Sequence, residues 1–340
     1  MSGAPAASDR ARLRLPPLGF GAAPIGNLYA EVGEEDAQAA LQAAWQGGIR
    51  YFDTAPFYGH GLSERRLGRG FAQWPRDSFA VSTKVGRIIE VDVEASDGAD
   101  GFAVDGSRAV FDYSRDGVRR SFEASLRRLD VDYLDILFLH DVGGLTHGDR
   151  HAQVLRQALD EALPAMAELR EQGVLGAIGL GVNEVEVCME VLPRFDLDCI
   201  MLAGRYTLFE QASALLLLDE AQRRGVGVIV AGPYNSGLLG DPRGPGSTYN
   251  YAPADENVLR RAREIYAICA EENVDVGAAA LQFPLAHPAV VSVVAGMRNA
   301  AEVECALARR DAAIPPRAWL RLQSAGIIAA NAPLPMEVAA

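Results

Sequence analysis

Three apolar runs along this chain end in side chains that can hold or move a proton. Tyr51-Phe52-Asp53 stops at a carboxylate and enters a turn that carries Tyr58. Ala80-Val81-Ser82-Thr83-Lys84 stops at an ammonium, and Leu134 to His140 stops at an imidazole. A free phenol titrates at about pH 10, too high for a base near neutrality. A neighbouring cation favours the phenolate and lowers that value, and Lys84 is the obvious cation. Asp53 would keep Lys84 charged and oriented, because an unpaired buried ammonium is costly. Singly, each residue has an ordinary explanation: a packed turn tyrosine, a solvated lysine, a satisfied histidine. Together, at the ends of successive strands, they make a constellation for proton transfer.

Such a convergence needs elements whose ends meet. In a barrel of parallel strands all carboxyl ends open on one face, where the active site lies. Strand-like runs occur at Leu18–Ala22, Arg50–Thr54, Phe79–Lys84, Tyr133–His140, Gly176–Gly181, Cys199–Ala203, Gly227–Ala231 and Val290–Ala295. Several are continuously apolar, as strands buried on both faces are. Helical stripes lie between them at Glu34–Gln46, Gly117–Leu129, Ala158–Gln172 and Ala212–Arg224. Pro164 marks either a kink or the true first turn of the third. Eight alternating βα units predict a closed (β/α)8 TIM barrel. The 340 residues exceed the roughly 250 of a typical barrel and leave room for insertions. The rival is an open dinucleotide-binding sheet, with G-x-G-x-x-G after its first strand. Gly19-Phe20-Gly21-Ala22-Ala23-Pro24 misses that pattern at Pro24, and no helix follows.

The expected organisation is a tail over 1–12, one barrel domain over 13–330 and a carboxyl-terminal tail over 331–340. Within the domain, Arg317–Ala329 predicts an extra final helix. Val85–Ser114 and Tyr234–Pro253 break the alternation, and both fall on the predicted active-site face. Long loops in such places are usually lids or binding loops.

The net charge of −13 argues against nucleic acid and against an anionic membrane surface. Residues 1–12 have no apolar signal core, and no apolar run reaches the ~18 residues of a membrane helix. Cys188, Cys199, Cys269 and Cys305 are scattered, so buried free thiols in a reduced, cytoplasmic protein are expected. His147 and His151 are four apart, but Gly148-Asp149 between them breaks a helix, so no metal site is expected. The oligomeric state is open, a homo-oligomer included.

The stretch Phe52-Asp53-Thr54-Ala55-Pro56-Phe57-Tyr58-Gly59, with Lys84 ending strand three and His140 ending strand four, resembles the aldo-keto reductases. Gly59-His60-Gly61-Leu62-Ser63-Glu64 and Leu67-Gly68 are similar to that family too, and the resemblance runs over residues 14–310. It implies a catalytic tetrad of Asp53, Tyr58, Lys84 and His140. Tyr58 would move the proton, Lys84 and Asp53 would tune it, and His140 would orient the substrate oxygen. It also implies NAD or NADP lying across the barrel mouth. The implied contacts are Gly21, Asp53, Asn183, Gly232, Pro233, Ser236, Gly237, Leu238, Gly296, Arg298 and Glu302. The family's glutamine at the end of strand six is absent, with Ala203 or Gly204 in its place. Glu302 would repel a ribose 2′-phosphate and so favours NAD, while Arg298 would act the other way.

Phe57, Tyr58, Tyr113, His140 and Arg205 are the implied substrate contacts. The opening Pro17–Leu28 and Gly204-Arg205-Tyr206-Thr207-Leu208 resemble a branch that oxidises aldoses such as L-fucose, and also pyridoxal. The expectation is a small-molecule sugar substrate, oxidised at its anomeric carbon to a lactone. Pyridoxal oxidation and general aldehyde or ketone reduction are the alternatives within the family. A non-catalytic barrel binding module and a metal-dependent barrel hydrolase are the alternatives outside it.

Overall fold

The computed structural model describes residues 13–91, 101–102, 104, 106–250 and 252–336. The expected tail over 1–12 and the last four residues lie outside the described residues. Eight parallel strands close on themselves: β1 (Leu18–Gly21), β2 (Tyr51–Asp53), β3 (Ala80–Val85), β4 (Leu134–His140), β5 (Leu175–Val182), β6 (Cys199–Ala203), β7 (Gly227–Ala231) and β8 (Val290–Gly296). They follow one another around the barrel in chain order, and β8 pairs with β1. The predicted TIM barrel is the fold observed.

Two apolar clusters explain why these short runs become strands. Tyr51, Ile136, Phe138, Ala177, Cys199, Met201, Ile229 and Val294 fill the barrel interior. The alternate residues, such as Phe52, Val81, Leu137, Leu139 and Ile178, join the larger core between barrel and helices. Side chains alternate between the two faces of a strand. Residues in step with Tyr51 and Phe138 therefore point inward, which aims Asp53 and His140 into the mouth.

The helix Glu34–Gln46 matches its predicted bounds. The helix Arg115–Leu129 starts two residues before its expected bound, because Ser114 caps it by accepting from the Gly117 N–H at 3.0 Å. Pro164 lies in the first turn of the helix Leu163–Glu171, which a π-helical turn over Ala158–Ala162 joins to His151–Gln157. The wider turn accommodates the carbonyl that the proline ring cannot serve.

The stretch expected as a loop over 85–114 instead contains an antiparallel hairpin, Arg87–Val91 against Ser107–Phe111. Residues 92–100, 103 and 105, between these strands in sequence, lie outside the described residues. The 234–253 stretch is mostly turns, with a short ladder of Thr248–Tyr249 on Ala252–Pro253. The extra final helix is present as Pro316–Ser324. The chain after it packs back where a tail was expected. Ala332 is buried, and Gln323 Nε2 donates to the carbonyls of Ala329 and Ala332. Cys188, Cys199 and Cys269 are buried, but Cys305 is exposed, because it falls on the solvent side of the helix Ala300–Asp311. Among the described residues no helix is long and apolar enough to cross a membrane.

Candidate active site

Strand register assembles the site from below. Gly21 pairs with Asp53 and Asp53 with Ser82, so the end of β2 sits between β1 and β3. Inside the barrel Tyr51 hydroxyl meets Ser82 Oγ at 3.0 Å, and Ser82 Oγ donates to Asp53 Oδ1 at 2.7 Å. Lys84 Nζ donates to both Asp53 oxygens, at 3.0 and 2.8 Å, and to the Thr54 carbonyl at 2.8 Å. Both partners are buried, Lys84 at 2% exposure and Asp53 at 3%. Burial raises the Asp53 carboxyl above its ordinary value, with Lys84 and Ser82 opposing.

The turn that carries Tyr58 is anchored at several points. Thr54 Oγ1 meets Ser63 Oγ at 2.8 Å, and Ser63 Oγ donates to the Ala22 carbonyl at 2.8 Å. Glu64, fully buried, accepts from Thr83 Oγ1 at 2.8 Å and Arg128 Nε at 2.6 Å. Gly26 backs the turn so closely that a Cβ there would lie 2.8 Å from the Tyr58 carbonyl carbon, and Gly59 takes φ +60°. Only glycine suits such places. Held this way, the Tyr58 ring lies 4.7 Å from Lys84 Nζ and stands nearly perpendicular to His140, with centroids 6.2 Å apart. Phe57 and Phe102 pack edge to face beside it at 5.1 Å.

The four expected residues thus meet in one cleft. Their electrostatics differ from the expectation at Tyr58. Burial pushes its phenol well above the ordinary value, Asp53 and Asp141 reinforce the shift, and Arg87 opposes it. The Lys84 charge beside the phenol is paired with Asp53 at 2.8 Å. His140 is held well below the ordinary imidazole value, first by burial. Its Nε2 lies 3.5 Å from Asp141 Oδ2, and a neutral ring makes no ion pair there.

Two charged groups escaped the sequence reading. Arg87 follows Lys84 by three residues and is 8% exposed. Its Nη1 lies 2.9 Å from His140 Nδ1, and its Nη2 donates to Asp141 Oδ2 at 2.8 Å. The guanidinium is stacked between Phe57 and Phe111, at 4.2 and 4.5 Å from the ring centres. Asp141 takes φ +47°, a strained conformation for a residue other than glycine. Burial acts to raise its carboxyl, but its neighbours His140, Arg87 and Lys84 leave it lowered. The available signal was position: Asp141 directly follows His140 at a strand end. Tyr113 is buried, and its hydroxyl donates to the carbonyls of His140 and Asp141 at 2.8 and 2.9 Å. It supports the end of β4 from beneath, where a substrate contact was expected. His147 joins the same hydroxyl at 2.9 Å, whereas His151 turns away to Glu190 at 3.0 Å. The two histidines serve different partners, because the helix breaks at Gly148.

Around the rest of the mouth lie the expected cofactor contacts. Asn183 and Arg205 border a cavity of about 310 Å³ with Leu145, Glu184, Val185, Glu186 and Ser213. Arg205 donates to the Asn183 carbonyl at 2.7 Å, to Glu210 at 2.9 Å and to Asn250 at 3.1 Å, so its charge is engaged. After β7, Gly232 takes φ +64°, and Asn235, Ser236 and Gly237 follow at +47°, +59° and +87°. Leu238 and Pro233 are buried beneath this turn. Asn235 Oδ1 is buried without a partner, a polar atom left for a ligand donor. A consecutive left-handed run suits the anion-binding concavity that backbone N–H groups form. Gly296 is exposed at the end of β8, beside Pro24. Asn299 caps the next helix by accepting from the Glu302 N–H at 2.9 Å. Glu302 reaches back to the Arg298 N–H at 3.0 Å and pairs with Arg298 Nε at 2.9 Å. Asn183, the Gly232–Leu238 turn and the β8 end offer polar and backbone groups that would hold a dinucleotide.

The comparisons with known proteins agree with the geometry. Residues 17–326 match the aldo/keto reductase family, and the chain belongs to it. It is a nicotinamide-dependent oxidoreductase. The chain is 40% identical to pyridoxal 4-dehydrogenase of Microbacterium luteolum, covering 95% of this chain and 97% of that one. It is 39% identical to D-threo-aldose 1-dehydrogenase of a Pseudomonas species, over 96% and 99%. Among solved structures, an aldo-keto reductase from Bacillus halodurans in its holo form superposes with a TM-score of 0.69 at 26% identity, over 92% of both chains.

Proposed function

We propose that this protein oxidises an aldopyranose at its anomeric carbon to the lactone, with Tyr58 as the acid/base group and Lys84, Asp53 and His140 around it. A bound nicotinamide would accept the hydride from that carbon. In its phenolate form Tyr58 takes the proton of the anomeric hydroxyl, and the hemiacetal C–O becomes the lactone carbonyl, so the substrate gives up one hydride and one proton; because burial raises that phenol, oxidation should quicken as pH rises. His140 donates to the reacting oxygen and sets its angle.

The observation that carries this reading is the buried Asp53–Lys84 pair directly beneath the Tyr58 ring, with His140 across from it. The cavity beyond Asn183, lined by Glu184 and Ser213, offers polar groups of the kind a polyhydroxylated substrate would use. Oxidation of pyridoxal, which also forms a lactone from a cyclic hemiacetal, is the second reading. The half-buried Phe57 ring favours it, as an apolar contact for an aromatic substrate.

NAD is the favoured cofactor. Arg298 is already paired with Glu302, so a 2′-phosphate would have to displace a carboxylate to reach it. The buried thiols suit a reduced, cytoplasmic setting. The test is a screen of aldoses and pyridoxal with NAD and with NADP, read by absorbance of the reduced cofactor. Turnover of L-fucose-type aldoses above pyridoxal supports the sugar reading, and turnover of pyridoxal alone replaces it with the second.

A further inference from the structure

We infer that Arg87 is a positioning residue for His140, fixing its imidazole as the neutral tautomer that carries its proton on Nε2. The inference rests on the reading of His140 as the donor to the reacting oxygen. Its chemistry follows from donor counting. Arginine has five N–H donors, no acceptor, and stays charged throughout the working pH range. Arg87 Nη1 lies 2.9 Å from His140 Nδ1, so Nδ1 must be the acceptor and cannot hold a proton. The neutral ring then has its one proton on Nε2. That leaves Nε2–H as the one donor of the ring, and it removes His140 as a rival acid to Tyr58.

The arrangement is built to hold Arg87 still. Phe57 and Phe111 sandwich the guanidinium. Asp141 Oδ2 takes its other terminal nitrogen at 2.8 Å and balances its charge. Ser121 Oγ donates to the Arg87 carbonyl at 3.1 Å, tying the root of the hairpin to the helix Arg115–Leu129. A lysine could not replace this, because it has no planar fork to span Nδ1 and a carboxylate together.

The groups facing His140 come from four elements. Arg87 approaches from the hairpin, Asp141 from the end of its own strand, Lys84 from β3 with Asp53 behind it, and Tyr58 from the turn after β2. Tyr113 reaches His140 at its backbone carbonyl and not at its ring. Arg87 and Lys84 both oppose a proton on the ring, and Asp141 favours one. Removing Arg87 removes the bond to Nδ1 and one repelling charge, and it releases Asp141 to attract the proton.

The experiment is nitrogen NMR of protein labelled with ¹⁵N-histidine, without cofactor, in wild type, Arg87→Met and Arg87→Gln, with His140→Gln to assign the signal. In wild type, Nδ1 should read as unprotonated and Nε2 as protonated from about pH 5.5 to 8.5. In Arg87→Met the proton should no longer be fixed on Nε2, and the His140 signals should titrate at a higher pH than in wild type, because one repelling charge is gone. The pH profile of kcat/KM should gain a matching titration, and KM should rise about tenfold for loss of the oriented donor. Arg87→Gln, whose amide can still donate to Nδ1, should restore the wild-type tautomer.

A protonated Nδ1 in wild type overturns the inference, and that measurement needs no variant to fold. So does an Arg87→Met protein whose His140 signals and pH profile match wild type. If the tautomer is as described but neither aldoses nor pyridoxal are turned over, the positioning role stands and the proposed function fails.

Discussion

Replacing Tyr58 by phenylalanine separates chemistry from packing more cleanly than any other change at this site. The Tyr58 ring touches its surroundings through its faces and edges: stacked on Phe102 at 5.9 Å, perpendicular to His140 at 6.2 Å, and over Lys84 Nζ at 4.7 Å. Phenylalanine keeps all of these. The anchors of the turn, Thr54 to Ser63 and Ser63 to Ala22, use neither the hydroxyl nor the ring. Stability should therefore change by no more than about 0.5 kcal/mol, the usual range for a substitution that removes no packing. The hydroxyl is the proton carrier, and losing a positioned acid–base group slows turnover by roughly 10² to 10⁴. At about 1.4 kcal/mol per decade, that is about 3 to 5.5 kcal/mol of barrier. The assay pairs steady-state kcat with thermal unfolding and a fluorescence titration of reduced cofactor. The expected result is a lost kcat, an unchanged unfolding midpoint and an unchanged cofactor Kd. A variant within threefold of wild-type kcat would refute the role of Tyr58. Parallel losses of kcat and stability would show that the hydroxyl is structural.

Ultraviolet difference titration of cofactor-free wild type against Tyr58→Phe should show no tyrosinate from residue 58 until well above pH 10, since burial raises that phenol; a signal near neutrality would mean that Lys84 governs it after all. Glu302→Gln should free Arg298 and shift the NADP-to-NAD ratio of kcat/KM upward by about fivefold, the size of one partly exposed charge pair; an unchanged ratio would place this pair away from the ribose. Glu64→Gln should lower the unfolding midpoint by several degrees, because it strips a buried carboxylate from Arg128 and Thr83, and an unshifted midpoint would deny the anchor its importance. As pH falls below about 6.5, the unfolded chain binds a proton at residue 140 that the folded chain refuses. Denaturant midpoints should therefore drop more steeply below that pH in wild type than in His140→Gln, and identical slopes would contradict the buried neutral ring.

The barrel, and the meeting of Asp53, Tyr58, Lys84 and His140 at its mouth, were legible in the sequence because both rest on short-range rules. A strand buried on both faces must be apolar throughout, and a change to Asp, Lys or His at its end is visible in the letters alone. The turn at Tyr58 was legible for a similar reason, since its glycines and proline leave few backbone choices. The hairpin over 87–111 was not, because its residues are half exposed and its strands pair only with each other across a long insertion. What tertiary structure alone decided was who stands beside whom. Arg87 and His140 are 53 positions apart, and only the folding of the hairpin back over the mouth brings guanidinium to imidazole. Tyr113 had to be placed before its hydroxyl could be seen supporting β4 rather than meeting substrate. The direction of the Tyr58 shift had to wait as well. A sequence can pair a phenol with a lysine, but burial and the prior claim of Asp53 on that lysine depend on distances, and those exist only in the fold.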